Sequence, residues 1–99
     1  MIDEKFRKSL DEYCNENGFD NTVVFDNPSY DNSIVGITAE GRLVYDYQKM
    51  VEEFAKDNGV TELEAIEFID YNTIRALPYF GENTPIIIER TKEEIVEMY

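Results

Sequence analysis

Two short β-rich runs lie three residues apart near the middle of the chain. They are Ser33–Thr38 and Arg42–Asp46, and the connection Ala39-Glu40-Gly41 between them ends in glycine. A three-residue connection of this kind is typical of a bulged hairpin, whose last loop residue adopts the positive φ that glycine accepts without strain. The pattern predicts an antiparallel hairpin with Gly41 at that position, and the remaining elements must pack around it.

Amphipathic helices are predicted on both sides of the hairpin. Residues 3–17 and 46–58 place apolar side chains three and four residues apart, the spacing of a helix with one buried face. Each segment starts at an aspartate, a favoured N-cap, and is followed directly by glycine, which suits the left-handed residue after a helix. On the first helix, Arg7 lies four residues before Asp11, the spacing of a helical ion pair.

A third helix is predicted to begin at a capping box, Thr61-Glu62-Leu63-Glu64. It cannot continue past Leu77, because Pro78 disfavours helical conformation in the residue before it. Its apolar residues lie on more than one side. This pattern indicates either burial on several sides or a break near Asn72-Thr73, and we expect a central helix with a kink.

The rest of the chain predicts two further strands and a terminal helix. Thr22–Phe25 and Pro85–Ile88 have strand composition, and Thr91–Glu94 is a second capping box for a helix through about Met98. The order is then α-β-β-β-α-α-β-α. We predict one α+β domain over residues 1–99, with helices packed on a small, mainly antiparallel sheet.

Missing residue types exclude several kinds of catalytic site. The chain has no histidine and a single cysteine, Cys14, so tetrahedral zinc sites, a Ser–His–Asp triad and a Cys–His pair are excluded. Glycine-rich phosphate-binding motifs are also absent. We therefore predict no enzymatic activity, no cofactor and no metal. A cation site in the Asx-rich loop 26–32 stays an open alternative to ordinary turn capping.

The charge balance restricts the partners of the chain. Twenty-two acids oppose nine bases, a net charge of −13, which disfavours direct binding to nucleic acid and to anionic membranes. The longest aliphatic run, Ile86–Ile88, is too short to span a bilayer, and the N-terminus lacks a signal-peptide pattern. We expect a cytoplasmic protein whose partner offers a basic surface. The sequence predicts no oligomeric state.

The excess acids are concentrated in the second and third predicted helices. Residues 46–70 carry eight acids and two bases, and no Lys or Arg occurs between positions 57 and 74. Four acids over residues 62–70 fall one per about 3.4 Å of helix axis, which matches the axial spacing of phosphates on one DNA strand. The alternative interpretation is a solvated helix face. The candidate partner-binding residues are Glu52, Glu53, Asp57, Glu62, Glu64, Glu67 and Asp70, with Tyr71 beside them.

An apolar turn over residues 77–81 is a second candidate contact. Leu77, Tyr79 and Phe80 there have the composition of a loop anchor for a partner protein, or of a loop folded back over the core. Arg75, just before the turn, is predicted to neutralise neighbouring carboxylates. The two interpretations of the turn predict different exposures for the same three side chains.

The sequence also resembles two groups of known proteins. Residues 64–79, EAIEFIDYNTIRALPY, look like small uncharacterised proteins of phage-derived and mobile elements of Firmicutes. The layout, with Asp31-Asn32-Ser33-Ile34 and Glu40-Gly41 in a meander after an N-terminal helix, resembles small acidic anti-CRISPR proteins. That second resemblance implies that carboxylates occlude the DNA-contacting groove of an RNA-guided nuclease, and it implies no particular functional residue.

Three functions are compatible with these features. The leading hypothesis is a non-enzymatic inhibitor or decoy that mimics DNA and covers a basic nucleic-acid-binding groove of another protein. The alternative is an interaction or regulatory module that binds through the apolar contacts of residues 77–80. A housekeeping domain whose charge serves only solubility is the third.

Overall fold

The computed structural model of the chain describes residues 2–89, and these residues fold around one hydrophobic core. The helices are α1 (Glu4–Asn17), α2 (Tyr47–Asn58) and α3 (Glu62–Phe68), and the strands are β1 (Ile34–Ile37), β2 (Leu43–Asp46) and β3 (Ile86–Ile88). A π-helical turn, Ile69–Ile74, continues α3, and 3₁₀ segments span Asp31–Ser33 and Leu77–Asn83. The α+β class is as predicted, and the helices and strands that form in residues 2–89 follow the predicted order. The terminal helix predicted from Thr91 lies outside the described residues.

The helix ends are set by the predicted caps. The Asp3 carboxylate accepts the Phe6 amide at 3.0 Å, and the Asp46 carboxylate accepts the Lys49 amide at 3.0 Å. At the start of α3, Thr61 and Glu64 form the reciprocal bonds of a capping box. The glycines after α1 and α2 adopt left-handed φ values of 71° and 63°. Local hydrogen bonding therefore explains where these helices begin and end.

The sheet has the strand order β1-β2-β3 and is mixed. In the hairpin, β1 and β2 are antiparallel, with Ile34 opposite Tyr45, and Gly41 has the expected positive φ of 88°. Strand β3 joins the other edge of β2 in parallel, with Ile86 opposite Val44. The antiparallel expectation thus holds for the hairpin. The parallel addition of β3 follows because the chain crosses through α2 and α3 before it returns to the sheet.

Residues 22–25, predicted as a strand, have no strand pairing in the structure. The Phe25 amide donates instead to the phenolic oxygen of Tyr45 at 3.0 Å. The Phe25 ring also packs on the rings of Tyr45 and Tyr30, at 4.7 and 5.9 Å between centroids. The Thr22 hydroxyl also donates to the Gly41 carbonyl at 2.8 Å, so side-chain contacts hold this segment in place of a backbone ladder.

The expected kink after α3 takes the form of the π-helical turn. Ala65, Ile69 and Thr73 are buried along one side at four-residue intervals. The side chain of Asn72 donates to the Phe68 carbonyl at 3.0 Å within the turn. The wider turn keeps this buried row facing the core while the chain changes direction before Pro78.

One predicted ion pair is replaced by a longer-range one. Arg7 directs its guanidinium away from Asp11 and towards the loop that precedes β1. It binds the buried carboxylate of Asp31 and the carboxylate of Asp26, with 2.8 Å contacts to each. A further hydrogen bond, at 2.7 Å, goes to the Phe25 carbonyl. This network ties α1 to the loop.

Candidate partner-binding surface

The first residues of α2 connect the acids of α2 to those of α3. The side-chain amide of Gln48 donates to Glu52 at 3.3 Å and to Glu62 at 3.5 Å. Both carboxylates therefore lie within reach of one amide nitrogen. Two acids that are ten positions apart in the sequence are held together by the packing of α2 against α3.

Tyr47, next to Gln48, lies close to two further acids. Its hydroxyl donates to the Asp70 carboxylate at 2.7 Å. Burial, the hydrogen bond to Asp70 and the negative charges of Asp70 and Glu89 raise the pKa of Tyr47 above its usual range. In the parallel register Ile88 lies opposite Asp46, so Glu89 and Tyr47, the next residues along the two segments, lie side by side. We call Glu52, Glu62, Asp70 and Glu89, arranged around Tyr47 and Gln48, the acidic surface.

Two of the predicted acids lie on another side of α2. Glu53 accepts a hydrogen bond from the hydroxyl of Ser33 at 2.9 Å. Glu53 and Asp57 line a shallow groove together with Glu52, Lys49 and Lys56, so Glu52 borders both this groove and the contacts of Gln48. Positive side chains therefore accompany the carboxylates of this groove and reduce the negative field on this side of α2.

The remaining predicted acids have different surroundings. Glu64 accepts from the amide and hydroxyl of Thr61, at 3.2 and 3.0 Å, so its carboxylate serves the capping box. Glu67 is exposed on α3. Tyr71 is 67% exposed, and the guanidinium of Arg75 lies over its ring at 4.9 Å from the centroid. Arg75, expected to neutralise carboxylates, thus makes a cation–π contact.

The apolar turn lies against the core on one side only, and none of its residues is buried. Leu77 packs against the core, and Phe80 contacts the ring of Phe25 at 5.9 Å. Tyr79 is 90% exposed and Phe80 is 39% exposed, so Tyr79 projects furthest into solvent. As a contact for a partner, the turn therefore depends mainly on Tyr79.

The sequence did not predict a cleft between the loop before β1 and the π-helical turn. Its volume is about 440 Å³. Rings of Phe25, Tyr30, Phe68 and Phe80 form its apolar walls, with the hydroxyl of Thr73 3.3 Å from that of Tyr30. These side chains come from segments far apart in sequence, so no local pattern marks the cleft.

The loop 26–32, the candidate cation site, binds the positively charged side chain of Arg7. Arg7 places its guanidinium against Asp26 and Asp31, the carboxylates that a metal ion would require. Among residues 2–89, no three His, Cys, Asp or Glu side chains are grouped as metal ligands. None of the helices in this range is both long and apolar enough to cross a membrane.

Comparison with known proteins adds no relative to this description. No family model matches the chain, and neither the curated proteins nor the solved structures give a match.

Proposed function

We propose that this protein is a non-enzymatic, acidic inhibitor or decoy that binds the basic nucleic-acid-binding surface of a partner protein. The observation that supports the proposal is the grouping of Glu52, Glu62, Asp70 and Glu89 around the consecutive residues Tyr47 and Gln48. The absence of Lys and Arg between positions 57 and 74 adds to the negative field there.

The hydrogen bonds give this surface an ordered arrangement. Gln48 holds one oxygen each of Glu52 and Glu62, and Tyr47 holds one oxygen of Asp70. Each carboxylate keeps a second oxygen for a partner, as a backbone phosphate does. Neutral donors orient these acids without cancelling their charge, so the surface suits the lysines and arginines of a DNA-binding groove.

Inhibition would follow from occupancy alone. A partner whose groove is covered by carboxylates cannot bind DNA through the same basic side chains. Association should be fast and should weaken steeply with salt, because it depends on long-range attraction to a chain of charge −13. A cytoplasmic RNA-guided nuclease, of the kind that mobile-element inhibitors target, is a partner of the required chemistry.

The proposal is tested by competition. Basic proteins are captured on the immobilised chain from a bacterial lysate at low salt, and the free chain is then titrated against a labelled DNA duplex on each captured protein. We expect the chain to displace the duplex. The triple variant Glu52→Gln/Glu62→Gln/Asp70→Asn should need at least about tenfold more protein, equivalent to about 1.4 kcal/mol.

A control with the same change in net charge separates this surface from bulk charge. Asp11→Asn/Asp20→Asn/Glu40→Gln removes three exposed acids elsewhere and should displace DNA almost as well as the unmodified chain. Equal loss in both variants, or undiminished displacement by the first when its circular dichroism is unchanged, would refute the proposed surface.

The exposure of Tyr79 favours one second candidate, an interaction module that binds through the apolar turn. Binding of this kind should respond little to salt and strongly to Tyr79→Ala. That variant is cleaner than Phe80→Ala, because Phe80 also packs on Phe25 in the folded chain. A salt titration of any captured complex distinguishes the two functions.

A further inference from the structure

An apolar groove runs between α1 and β1, on the edge of the sheet opposite β3. Its volume is about 440 Å³, and all nine residues that line it are uncharged. Tyr13 from α1 and Val35 from β1 are 45% and 42% exposed along it. In a chain of charge −13, a neutral surface with exposed apolar side chains is a candidate contact.

Strand β1 leaves this edge open to pairing. It is an outer strand of the described sheet, and its four residues, Ile34-Val35-Gly36-Ile37, include no charge and no proline. Edge strands of soluble proteins commonly carry such residues to prevent contact with another chain. In β1 the protection comes only from its short length and from a register irregularity between Ile34 and Gly36, so the apolar side chains of the groove stay accessible to a docking partner.

The charges of α1 indicate what covers it. The charge of Arg7 is paired with Asp31 and Asp26. Without it, residues 4–9 carry Lys5 and Lys8 against Glu4, a net charge of +1, whereas residues 10–17 have a net charge of −3. Ser9 of α1 lines the groove. Residues three, four or seven positions from it lie on the same side of the helix, and these include Lys5, Glu12 and Glu16. The rim of the groove is positive at one end and negative at the other.

We propose that a second copy of this chain docks in the groove through a two-fold, antiparallel contact. A two-fold axis across α1 places the positive end of one rim against the negative end of the other, so that Lys5 of each copy faces Glu12 or Glu16 of the other. Val35 and Tyr13 of both copies then lie at the centre of the interface. The acidic surface, which includes Glu89 after β3, lies at the opposite sheet edge and stays exposed.

The charge of the whole chain distinguishes this contact from the decoy complex. Two copies of charge −13 repel each other at long range, so added salt should strengthen self-association by screening that repulsion. A complex with a basic partner should respond to salt in the opposite direction. The groove and the acidic surface can therefore be tested independently of each other.

Sedimentation equilibrium over a concentration series tests the proposal. We expect a species of twice the 11.6 kDa chain mass, increasingly populated as salt is added. Val35→Glu should raise the dissociation constant at least about tenfold, because it opposes like charges across the axis. Leu63→Glu is the matched control: it changes a 66% exposed apolar residue on α3 and should leave the dimer intact.

Charge exchange on the rim provides a second test that does not alter the groove. Lys5→Glu should weaken the dimer, and the double variant Lys5→Glu/Glu12→Lys should restore it. A monomer at every concentration and salt, a dimer unaffected by Val35→Glu, or a dimer equally weakened by Leu63→Glu would overturn the proposal. Failure of the exchange to restore association would overturn the antiparallel arrangement.

Discussion

Arg7 holds the carboxylate of Asp31 with two parallel hydrogen bonds, Nε to Oδ2 at 2.9 Å and Nη2 to Oδ1 at 2.8 Å. The Asp31 side chain is fully buried, and that of Arg7 is 18% exposed. The bond to Asp31 is the main reason that the pKa of Arg7 is raised above its already high usual value. A buried charge pair of this kind connects α1 to the residues that lead into β1.

Replacing Arg7 should be among the most destabilising changes in the chain. Arg7→Met leaves a buried carboxylate without its cation, for which we expect a loss of about 3 kcal/mol in the free energy of unfolding. Urea denaturation followed by circular dichroism measures the loss. Arg75→Met, which removes an exposed cation–π contact, should cost less than about 1 kcal/mol. Similar losses in the two variants would contradict the assigned role of the network.

Alkaline pH should destabilise the protein through Tyr45. Burial raises the pKa of this fully buried phenol above its usual 10.0, so the unfolded chain loses the proton first. Stability is then intact below pH 10 and falls as the pH rises above it. Tyr30 and Tyr47 shift in the same direction.

The free energy of unfolding at a series of alkaline pH values measures this effect. Tyr45→Phe also loses the hydrogen bond from the Phe25 amide, so its stability is lower at neutral pH. The informative quantity is the slope, and the variant should lose stability less steeply above pH 10. An identical slope would show that Tyr45 ionises equally easily in both states.

Gly41 should tolerate substitution less than Gly59. Both residues have positive φ, at 88° and 63°, but a Cβ on Gly41 would lie 2.8 Å from the Phe19 ring, whereas one on Gly59 would meet nothing within 4 Å. We expect Gly59→Ala to cost about 1 kcal/mol from backbone strain alone, and Gly41→Ala about 2 kcal/mol or more. Thermal unfolding of both variants measures the two losses. A larger loss for Gly59→Ala than for Gly41→Ala would contradict the contact between Gly41 and Phe19 as the cause.

The hydroxyl of Tyr47 should contribute to folding as well as to the acidic surface. Tyr47→Phe removes its 2.7 Å bond to Asp70, and we expect a loss of about 1 kcal/mol in the free energy of unfolding. Tyr79→Phe, which changes a 90% exposed side chain, should have no measurable effect. If Tyr47→Phe also leaves the free energy of unfolding unchanged, the hydrogen bond does not hold the Asp70 carboxylate in place.

The candidate surface was only partly predictable. The sequence indicated that α2 and α3 carry the excess acids, and it named Glu52, Glu62 and Asp70 among them. It did not indicate that Gln48 and Tyr47 form hydrogen bonds with these three acids, or that Glu89 lies beside them at the end of β3. Such contacts join side chains from different elements, and spacing along one helix carries no information about them.

The elements that sequence alone determined are those whose causes lie within a few residues. Asp3, Asp46 and Thr61 cap their own helices, and Gly41 accepts the positive φ of its own turn. These bonds and torsions form whatever the rest of the chain does, so the residue pattern is sufficient to predict them.

Tertiary structure decided the partners of groups that had several local options. Arg7 had Asp11 one turn away, yet it pairs with Asp31, because a buried carboxylate gains more from a cation than an exposed one does. Residues 22–25 form no strand, and Phe25 packs on Tyr45 instead. Strand β3 pairs in parallel with β2 because α2 and α3 lie between them in the chain. Burial sets the strength of each of these contacts, and burial exists only once the whole chain has folded.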